Sequence, residues 1–593
     1  MPDHSSPTRP SEREPIVVVG LALRFPGANE TPDEFAEFLR ANGSGIVPLP
    51  TDRWGGAVGV GSGPGEIRTS GGGFLDRIDE FDAPFFNIAP KQAHYIDPQQ
   101  RLLLETAWTA LEDANVDPSG LRHGNGGVYI GATPFDYALE LERLSYPELD
   151  GALATGIGGY SMCGRLSYFL GWRGPSLTTD TACASALTAL HLAVEGLRAQ
   201  ECDIALCGAV NVLHHPRIFA ILSNGQVLAE DGRCKTFDEA ADGYARAEGC
   251  GVLVLKRLSA ALADGDPIRA VIRGTAIGQD GESAGLTAPN GAAQQQAIRL
   301  ALRRAAVTAG DIQYVEAHGT GTPLGDPLEL SSIDAVLGAA HRNGPPLLVG
   351  SVKANIGHME PAAGMGGLIK VILQMRDGVI FPHRYDVPSP RVPWETYPIT
   401  VPTTPVPWTD RPRRAMVNSF GLAGAIGVAV LEEPPPTKQR TNVDGGWSVF
   451  TLSAKSRPAL ARQVRRYRDF VAARSDVPVA DICRTRNLGR SHFRHRVAGL
   501  VTHHDDLAAL LERATDELAG DGQPPADVRK TAFLFTGSGA QYRGMGAGLY
   551  QRFAEFARCV DDCDARHRQL DRPVGVDLIQ VETKLSLRLK RIS

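Results

Sequence analysis

Short runs rich in valine, isoleucine and leucine alternate with alanine- and leucine-rich stretches over most of this 593-residue chain. The alternation begins at Glu14 with EPIVVVGLALRFPGA and continues to about Glu433. Strands that alternate with helices are typical of an α/β fold, in which mainly parallel strands are expected. We therefore predict one large α/β unit over 14–433.

Individual helices and strands can be predicted within this alternation. Apolar residues recur at spacings of three and four over 101–114 and 292–306, which predicts two helices. Buried strands are predicted over 204–210, 251–258 and 429–433, where the apolar runs are short and rich in β-branched residues.

The remaining segments differ in composition from the large unit. Residues 1–13 are polar and are predicted to form a disordered leader. An Ala-Asp-Gly-Asp-Pro stretch within 258–270 is a candidate junction between two halves of a duplicated unit. PPPTKQRTNVDGG opens a predicted small helix-bearing linker domain over 434–530, and a further strand, glycine turn and helix are expected to start in 531–593.

Charge and cysteine content narrow the possible functions. A net charge of -6 without long runs of like charge gives no basic field for nucleic acid. No segment has the roughly 18 continuous apolar residues of a membrane span, and the N-terminus lacks a signal-peptide pattern, so we expect a cytoplasmic protein without a membrane partner. The nine cysteines show no metal-ligand spacing, so reduced thiols and no metal site are expected.

Cys183, in the run DTACASAL, is a candidate nucleophile. An extended stretch over 176–182 precedes a helix predicted to begin near Cys183, with Leu187 and Leu190 on one face. Free N–H groups and the helix dipole at such an N-terminus would lower the thiol pKa and favour the reactive thiolate. The alternative is an inert core cysteine.

Two further loops carry histidines. VEAHGTGTPLGDP (315–327) predicts a strand that ends at His318 and passes into a Gly/Thr-rich loop. VGSVKANIGHMEPAAGMGGLIKVILQM (349–375) predicts a strand, a loop with Lys353 and His358, and a helix of small residues. Either histidine alone could be a turn residue without a task.

Taken together, the three segments resemble the Cys-His-His set of the β-ketoacyl synthases, and specifically the ketosynthase domain of modular type I polyketide synthases. Further matching motifs occur in order along the chain, namely DPQQRLLLE (97–105), GRCKTFDEAADGYARAEGCGVLVLKRL (232–258), GLTAPNG (285–291) and NSFG (418–421). The resemblance implies a thiolase-like duplicated fold in αβαβα layers, a homodimer, and an enzyme that forms carbon–carbon bonds by decarboxylative Claisen condensation.

The resemblance also implies roles for individual residues. Cys183 would accept an acyl chain from a carrier protein's phosphopantetheine arm. His318 and His358 would donate hydrogen bonds to the extender's thioester oxygen as negative charge develops on it. Lys353 would hold its loop and set the charge near the histidines, the alternative being a solvated surface lysine.

Substrate contacts and the oxyanion hole follow from the same resemblance. Thr320 and Thr322 would contact the pantetheine arm, unless they are ordinary turn threonines. The backbone N–H groups of Cys183 and Leu422 would form the oxyanion hole. The family usually reads GFGGTNAHV here, whereas this chain has Leu422 in place of the aromatic and lacks the Thr-Asn-Ala-His stretch, which is replaced by Ala425, Ile426, Gly427 and Val428.

The C-terminal segment FLFTGSGAQYRGMG resembles the start of a malonyl-type acyltransferase domain, with Ser538 where the family usually has glutamine. Neither that domain's GHSxG nucleophile nor a DSL-type serine motif for phosphopantetheine follows. We therefore expect a truncated or frame-shifted acyltransferase fragment, a separate acyltransferase, an acyl carrier protein in trans, and no bound cofactor.

Two other functions stay open at this stage. A non-condensing gatekeeper would load Cys183 but usually lacks a histidine, and a structural pairing subunit would be expected to have lost the cysteine. The intact Cys183, His318 and His358 favour the condensing enzyme.

Overall fold

The computed structural model describes residues 14–50, 53–54, 59–61, 63, 65–133, 136–436, 446–519, 542 and 544–569. They fall into two compact units that divide between Asp521 and Gly522. The predicted leader, the connector over 437–445, and the FLFTGSGAQ stretch with Ser538 lie outside the described residues.

The strands are β1 (Ile16–Arg24), β2 (Ile46–Pro48), β3 (Gly71–Gly73), β4 (Gly126–Gly131), β5 (Ser176–Thr179), β6 (Ile204–Asn211), β7 (Gly249–Arg257), β8 (Ala270–Gln279), β9 (Tyr314–Glu316), β10 (Leu347–Gly350), β11 (Val379–Ile380), β12 (Ile399–Thr400), β13 (Val406–Pro407), β14 (Arg414–Phe420), β15 (Ala425–Glu432), β16 (Ser448–Ala454) and β17 (His495–Val501).

The α-helices are α1 (Pro32–Arg40), α2 (Pro90–Ala93), α3 (Pro98–Asp113), α4 (Asp136–Glu140), α5 (Leu153–Gly156), α6 (Tyr160–Leu170), α7 (Ser185–Arg198), α8 (Arg217–Asn224), α9 (Leu258–Asp264), α10 (Gly291–Ala305), α11 (Gly325–Ile333), α12 (Ala339–His341), α13 (Lys353–Ile356), α14 (Ala363–Asp377), α15 (Arg457–Ala473), α16 (Val479–Leu488), α17 (His504–Ala519), α18 (Ala547–Arg552) and α19 (Ala554–Gln569).

Local capping residues explain where the two predicted helices start. Asp97 accepts a hydrogen bond from the Gln99 N–H and Pro98 occupies the first turn, so α3 begins three residues before its predicted start at 101. The side chain of Asn290 accepts from the N–H groups of Ala292 and Ala293 and starts α10. Both predicted helices are confirmed.

One eleven-stranded sheet contains an internal repeat. Its strand order is β12-β10-β9-β14-β15-β8-β1-β7-β6-β4-β5. The second half has one additional strand, β12, at the edge of the sheet. If β12 is left aside and the other strands of each half are numbered from its own first strand, β1 or β8, both halves run outward in the same order, first-fifth-fourth-second-third. The two repeats meet between Arg257 and Ala270, within the interval predicted for the junction.

The expectation of mainly parallel strands is wrong. Parallel pairing is confined to β5-β4-β6 and β14-β9-β10-β12. The middle of the sheet, from β6 through β7, β1, β8 and β15 to β14, is antiparallel. For β6 and β7 the reason is the path of the segment between them, which returns at one end of the sheet instead of crossing over it, so that the two strands run in opposite directions.

The sheet is covered on both faces, and two helices lie between its halves. Helix α7 contacts β4 and β6 of the first half and β8 and β15 of the second, and α14 contacts β14, β7 and α7. Alternate β1 residues point to different cores: Ile16 and Val18 face the α7/α14 layer, while Val17 and Val19 face α3. Helix α10 covers the outer face of the second half. This is the duplicated, layered α/β fold implied by the resemblance.

A smaller body over 448–519 completes the first unit. Strands β16 and β17 pair antiparallel, and α15, α16 and α17 enclose an apolar core with them. The Lys455 ammonium lies over the Phe85 ring, 4.6 Å from its centroid, and so joins this body to the large sheet unit. In the second unit, the structure describes α18 and α19. No helix among the described residues is long and apolar enough to span a bilayer.

Gly427 brings β15 against α7, and its substitution provides a test of this packing. A Cβ atom at Gly427 would lie 2.6 Å from Leu187 Cβ. Gly427→Ala is therefore expected to lower the free energy of unfolding by about 1–3 kcal/mol through overpacking. Urea unfolding followed by circular dichroism would measure the change.

Gly164→Ala is the matched control. Gly164 lies in the exposed part of α6, and a Cβ atom added there would have no neighbouring atom within 4 Å. This change is expected to stabilise the protein by about 0.5–1 kcal/mol, because alanine favours the helix. Equal responses of the two variants would contradict a close contact at Gly427.

Candidate active site

Cys183 lies in a tight turn between β5 and α7. Ala182 has a left-handed backbone conformation with φ of 51°, which is uncommon for a residue with a side chain. Ser185 holds the turn, since its hydroxyl donates to the Ala182 carbonyl at 2.6 Å and accepts from the Thr181 N–H at 2.9 Å. The helix therefore begins at Ser185, close to the start predicted near Cys183.

The thiol is half-buried and receives backbone donors. Burial, and then the Glu360 carboxylate, raise the pKa of the Cys183 thiol to about 12. The nearby Lys353 charge acts in the opposite direction, as do the N–H groups of Leu422 and of Cys183 itself, which hydrogen-bond to the sulfur. The predicted lowering of the thiol pKa is thus wrong, because desolvation outweighs the helix N-terminus.

The divergent glycine turn between β14 and β15 is held by backbone contacts. The Gly421 N–H donates to the Ala425 carbonyl at 2.7 Å, and Gly424 adopts φ of 84°. Leu422 exposes about half of its side chain (51%), while its N–H points to the Cys183 sulfur. The Ser419 hydroxyl donates to the Cys183 carbonyl at 2.7 Å, which ties this turn to the cysteine. The two backbone N–H groups predicted to form an oxyanion hole therefore lie together without the family's Thr-Asn-Ala-His side chains.

His318 follows the end of β9 and is fixed on two sides. Its backbone N–H donates to Glu329 Oε1 at 2.8 Å. Its ring atom Nδ1 accepts from the Phe420 N–H at 3.3 Å. Burial, followed by the positive charge of Lys353, holds the pKa of His318 well below its usual value.

His358 is held in a similar way by a different segment. Its backbone N–H donates to the Ala245 carbonyl at 2.7 Å, and the Ala247 N–H donates to the His358 carbonyl at 2.8 Å. Its Nδ1 accepts from the Glu360 N–H at 3.1 Å. Burial, and then the charges of Lys353 and Arg246, hold the pKa of His358 well below its usual value.

The two imidazoles face each other as neutral hydrogen-bond donors. Their centroids are 5.4 Å apart and their planes are nearly perpendicular, at 83°. Because each Nδ1 accepts a backbone N–H, the single proton of each neutral ring must be on Nε2. His318 and His358 can therefore each donate one hydrogen bond from Nε2 to an oxygen placed between them.

Lys353 opens α13 and is buried, with a side-chain exposure of 4%, so the alternative of a solvated surface lysine is wrong. Burial lowers the pKa of Lys353, while Glu316 and Glu329 act in the opposite direction. Thr320 and Thr322 are half-buried in the loop after His318. The Thr322 hydroxyl accepts from the Gly325 N–H at 3.2 Å, a turn contact of the kind that the alternative for this threonine describes.

Three charged residues of the site were not identified from the sequence. Glu329 receives the His318 N–H, Glu360 supplies the N–H that binds His358, and Arg246 pairs with Glu360. Glu360 stands only two residues after His358, and this spacing is a signal in the sequence that could have identified it. Nothing local in the sequence pairs Arg246 with a residue 114 positions away.

Comparisons with known proteins agree with this geometry. Family models described as the N-terminal and C-terminal domains of β-ketoacyl synthase match residues 13–261 and 269–385, and a model described as CurL-like, PKS C-terminal, matches 448–511. The ketosynthase from module 6 of the bacillaene synthase of Bacillus subtilis 168 superposes with a TM-score of 0.77, at 34% identity, over 85% of this chain and 86% of that one. The oxazolomycin ketosynthase domain OzmH KS7 of Streptomyces albus JA3453 gives a TM-score of 0.79 at 36% identity, over 86% of this chain and 89% of that one. The chain belongs to the β-ketoacyl synthase family.

Curated relatives identify the branch of the family. Erythronolide synthase EryA3 of Saccharopolyspora erythraea is 42% identical over 561 residues, which cover 93% of this chain and 17% of the relative. Pikromycin polyketide synthase component PikAII of Streptomyces venezuelae is 41% identical over 567 residues, which cover 93% of this chain and 15% of the relative. The chain thus spans less than a fifth of the length of these two relatives. The predicted membership among the ketosynthase domains of modular type I polyketide synthases is confirmed.

The electrostatics of Cys183 can be tested by alkylation. With a thiol pKa of about 12, the rate of reaction with iodoacetamide should keep rising from pH 7 to pH 10, without a plateau near the ordinary thiol pKa of about 8.5. Lys353→Met should slow alkylation at every pH, because loss of the positive charge raises the thiol pKa further. Mass spectrometry of the Cys183 peptide gives the rate.

Lys91→Met is the control, because Lys91 is exposed and outside the site. It should leave the rate unchanged. A plateau near pH 8 in the unmodified protein would contradict the raised thiol pKa.

Proposed function

We propose that this chain is a condensing β-ketoacyl synthase that extends an acyl chain carried on Cys183. The observation that carries the proposal is the facing pair of neutral imidazoles, His318 and His358, each with Nδ1 occupied and Nε2–H free to donate. Such a pair is suited to bind an enolate oxygen. The two N–H groups at the Cys183 sulfur are suited to bind the oxygen of a thioester formed there.

The first step is transacylation. The Cys183 sulfur attacks the carbonyl carbon of an acyl-phosphopantetheine thioester, whose oxygen becomes negative and accepts from the N–H groups of Cys183 and Leu422. The bond from carbon to the pantetheine sulfur then breaks, and the thiol proton of Cys183 ends on the departing pantetheine thiol. An acyl-Cys183 thioester remains.

The second step is decarboxylative condensation. A malonyl-type thioester loses carbon dioxide, and the electron pair of the broken bond forms an enolate whose oxygen accepts from Nε2–H of His318 and of His358. The enolate carbon attacks the acyl-Cys183 carbonyl, a carbon–carbon bond forms, and the bond to Cys183 sulfur breaks. The thiolate takes one proton from solvent, and a 3-ketoacyl thioester leaves on pantetheine.

The gatekeeper and structural alternatives have less support. Both histidines and the cysteine are placed with their hydrogen-bond partners, and Leu422 still presents its N–H despite the divergent turn. The residues needed for loading and those needed for condensation are therefore both in place, which favours the condensing enzyme.

The chemistry requires a carrier protein for each substrate and an acyltransferase to charge the extender. We propose that both act in trans, that Thr320 and Thr322 line the path of the pantetheine arm, that no cofactor is held permanently, and that the protein works in the cytoplasm. The half-burial of Thr320 supports its assignment, while the Thr322 hydroxyl also accepts from the Gly325 N–H within its own turn.

We further propose a homodimer that forms through β5. This strand ends the eleven-stranded sheet and, within the described residues, pairs only with β4. Apolar side chains are exposed on and beside it, among them Leu177 at 46% and Tyr168 at 87%. An uncovered edge strand with apolar neighbours fits a second copy of the chain.

The activity is tested with the purified chain, a butyryl-carrier thioester and a malonyl-carrier thioester. We expect butyryl mass on Cys183, followed by a ketoacyl product. Cys183→Ala should abolish both. His318→Ala and His358→Ala should keep loading within a few-fold but lower condensation by about 10²-fold or more, since each removes one donor.

Mass spectrometry of the Cys183 peptide and of the carrier separates these outcomes. Equal acylation of Cys183→Ala and the unmodified chain would contradict the assignment of the nucleophile. Loading without product in the unmodified chain would favour the gatekeeper.

The dimer is tested by analytical ultracentrifugation. Leu177→Lys places a charge on the exposed edge of β5 and should shift the protein from dimer to monomer, because like charges then meet across the interface. Leu286→Lys, at another exposed leucine, is the control and should stay dimeric. A monomeric unmodified protein would contradict the proposal.

A further inference from the structure

Arg246 and Glu360 form an ion pair next to His358 that the proposed chemistry does not use. Arg246 Nε lies 2.6 Å from Glu360 Oε1, and Nη2 lies 2.9 Å from Oε2, a two-pronged geometry. The Arg246 side chain is 4% exposed and that of Glu360 16%. The guanidinium also lies over the Phe219 ring, 4.6 Å from its centroid.

Glu360 has an unusual backbone conformation that connects the ion pair to His358. Its φ is 47°, in the left-handed region that a residue with a side chain rarely adopts. In that conformation its N–H reaches back two residues to His358 Nδ1 at 3.1 Å. The proton on His358 Nε2 therefore depends on the conformation of Glu360.

The residues on either side of Arg246 hydrogen-bond to the backbone of His358. Ala245 accepts the His358 N–H at 2.7 Å, and the Ala247 N–H donates to the His358 carbonyl at 2.8 Å. Arg246, between them, extends to the carboxylate of Glu360. His358 is thus held through its backbone by residues 245 and 247, and through its ring by Glu360.

We propose that Arg246 and Glu360 are a pair of positioning residues that lock His358 as an Nε2–H donor for decarboxylation. The pair holds Glu360 in its left-handed conformation, and so keeps its N–H on His358 Nδ1. The inference rests on the proposed condensing function, because it assigns the pair to the step in which His358 binds the enolate oxygen.

Removal of one partner and removal of both break the same ion pair. Arg246→Met or Glu360→Gln also leaves one buried charge without its counter-ion, whereas the double variant leaves none, so the double variant separates lost positioning from an unpaired charge. Each single variant should therefore lower kcat for decarboxylation of malonyl-pantetheine by about 10²-fold, the effect of losing one such donor.

KM for malonyl-pantetheine should stay within about threefold in both single variants. The rate of Cys183 acylation by butyryl-pantetheine should stay within about threefold in Arg246→Met and should not fall in Glu360→Gln, because the Glu360 carboxylate raises the pKa of the thiol. The double variant should not recover kcat and should stay within about threefold of the lower single variant, because it too lacks the ion pair that holds Glu360.

A second ion pair supplies the control. Arg414 Nε lies 2.6 Å from Glu432 Oε2, with side-chain exposures of 19% and 15%, at the ends of β14 and β15 away from the glycine turn. Arg414→Met and Glu432→Gln should lower stability without lowering kcat for decarboxylation relative to acylation.

A readout that does not need turnover separates this inference from the proposed function. In protein with ¹⁵N-labelled histidine, the His358 ring should show a protonated Nε2 and an unprotonated Nδ1, and each single variant should mix the two tautomers. If the unmodified chain does not decarboxylate but the tautomer changes as expected, the proposed function fails and the positioning role stands. If the single variants keep both the tautomer and kcat, or if the double variant recovers kcat over the single variants, the positioning role is wrong.

Discussion

Burial of two helices between the halves of one sheet is the constraint on which the active site depends. Helices α7 and α14 contact strands of both halves and belong to the same apolar core. Each follows the third strand of its repeat. The loops that precede them, with Cys183 in one and His358 in the other, lie together, since the Lys353 and Glu360 charges of the second loop act on the Cys183 thiol. Packing in the middle layer therefore sets the place of the nucleophile and of one donor together.

Burial also decides the charge states in the site. Desolvation is the first cause of the shifted pKa at Cys183, at His318, at His358 and at Lys353, and in each case it favours the neutral form. At Cys183 the Lys353 charge and two backbone N–H groups act against desolvation, and at Lys353 the carboxylates of Glu316 and Glu329 do. At each imidazole the backbone N–H donated to Nδ1 favours the neutral ring further. The two imidazoles and the thiol are thus held in their neutral forms beside backbone donors, which suits the stabilisation of charge that exists only during reaction.

The sequence predicted the class of fold and the motif residues well, because each depends on local patterns. The apolar periodicity of 101–114 and 292–306 and the strand runs reflect which faces are buried, and the structure has these elements in place. Pairing direction was predicted less well, since whether β7 runs parallel to β6 depends on how the intervening 37 residues return, and composition does not encode that path.

In the site, too, the residues that were predicted stand in local motifs, and those that were missed depend on contacts between distant parts of the chain. Cys183, His318, His358 and Lys353 stand in recognisable motifs. The pKa of the thiol could not be predicted from its position before a helix, because it depends on desolvation by residues distant in sequence. Arg246 was missed for the same reason, as its contact with Glu360 exists only after the chain has folded.

The internal repeat gives two copies of one connection, strand to loop to buried helix, related by approximate symmetry. One copy, β5 to α7, carries a thiol that forms and breaks covalent bonds in the proposed reaction. The other, β10 to α14, carries a lysine and a histidine that only redistribute charge. The same backbone connection thus supports two different chemical roles, and the difference between them lies in the loop residues rather than in the fold.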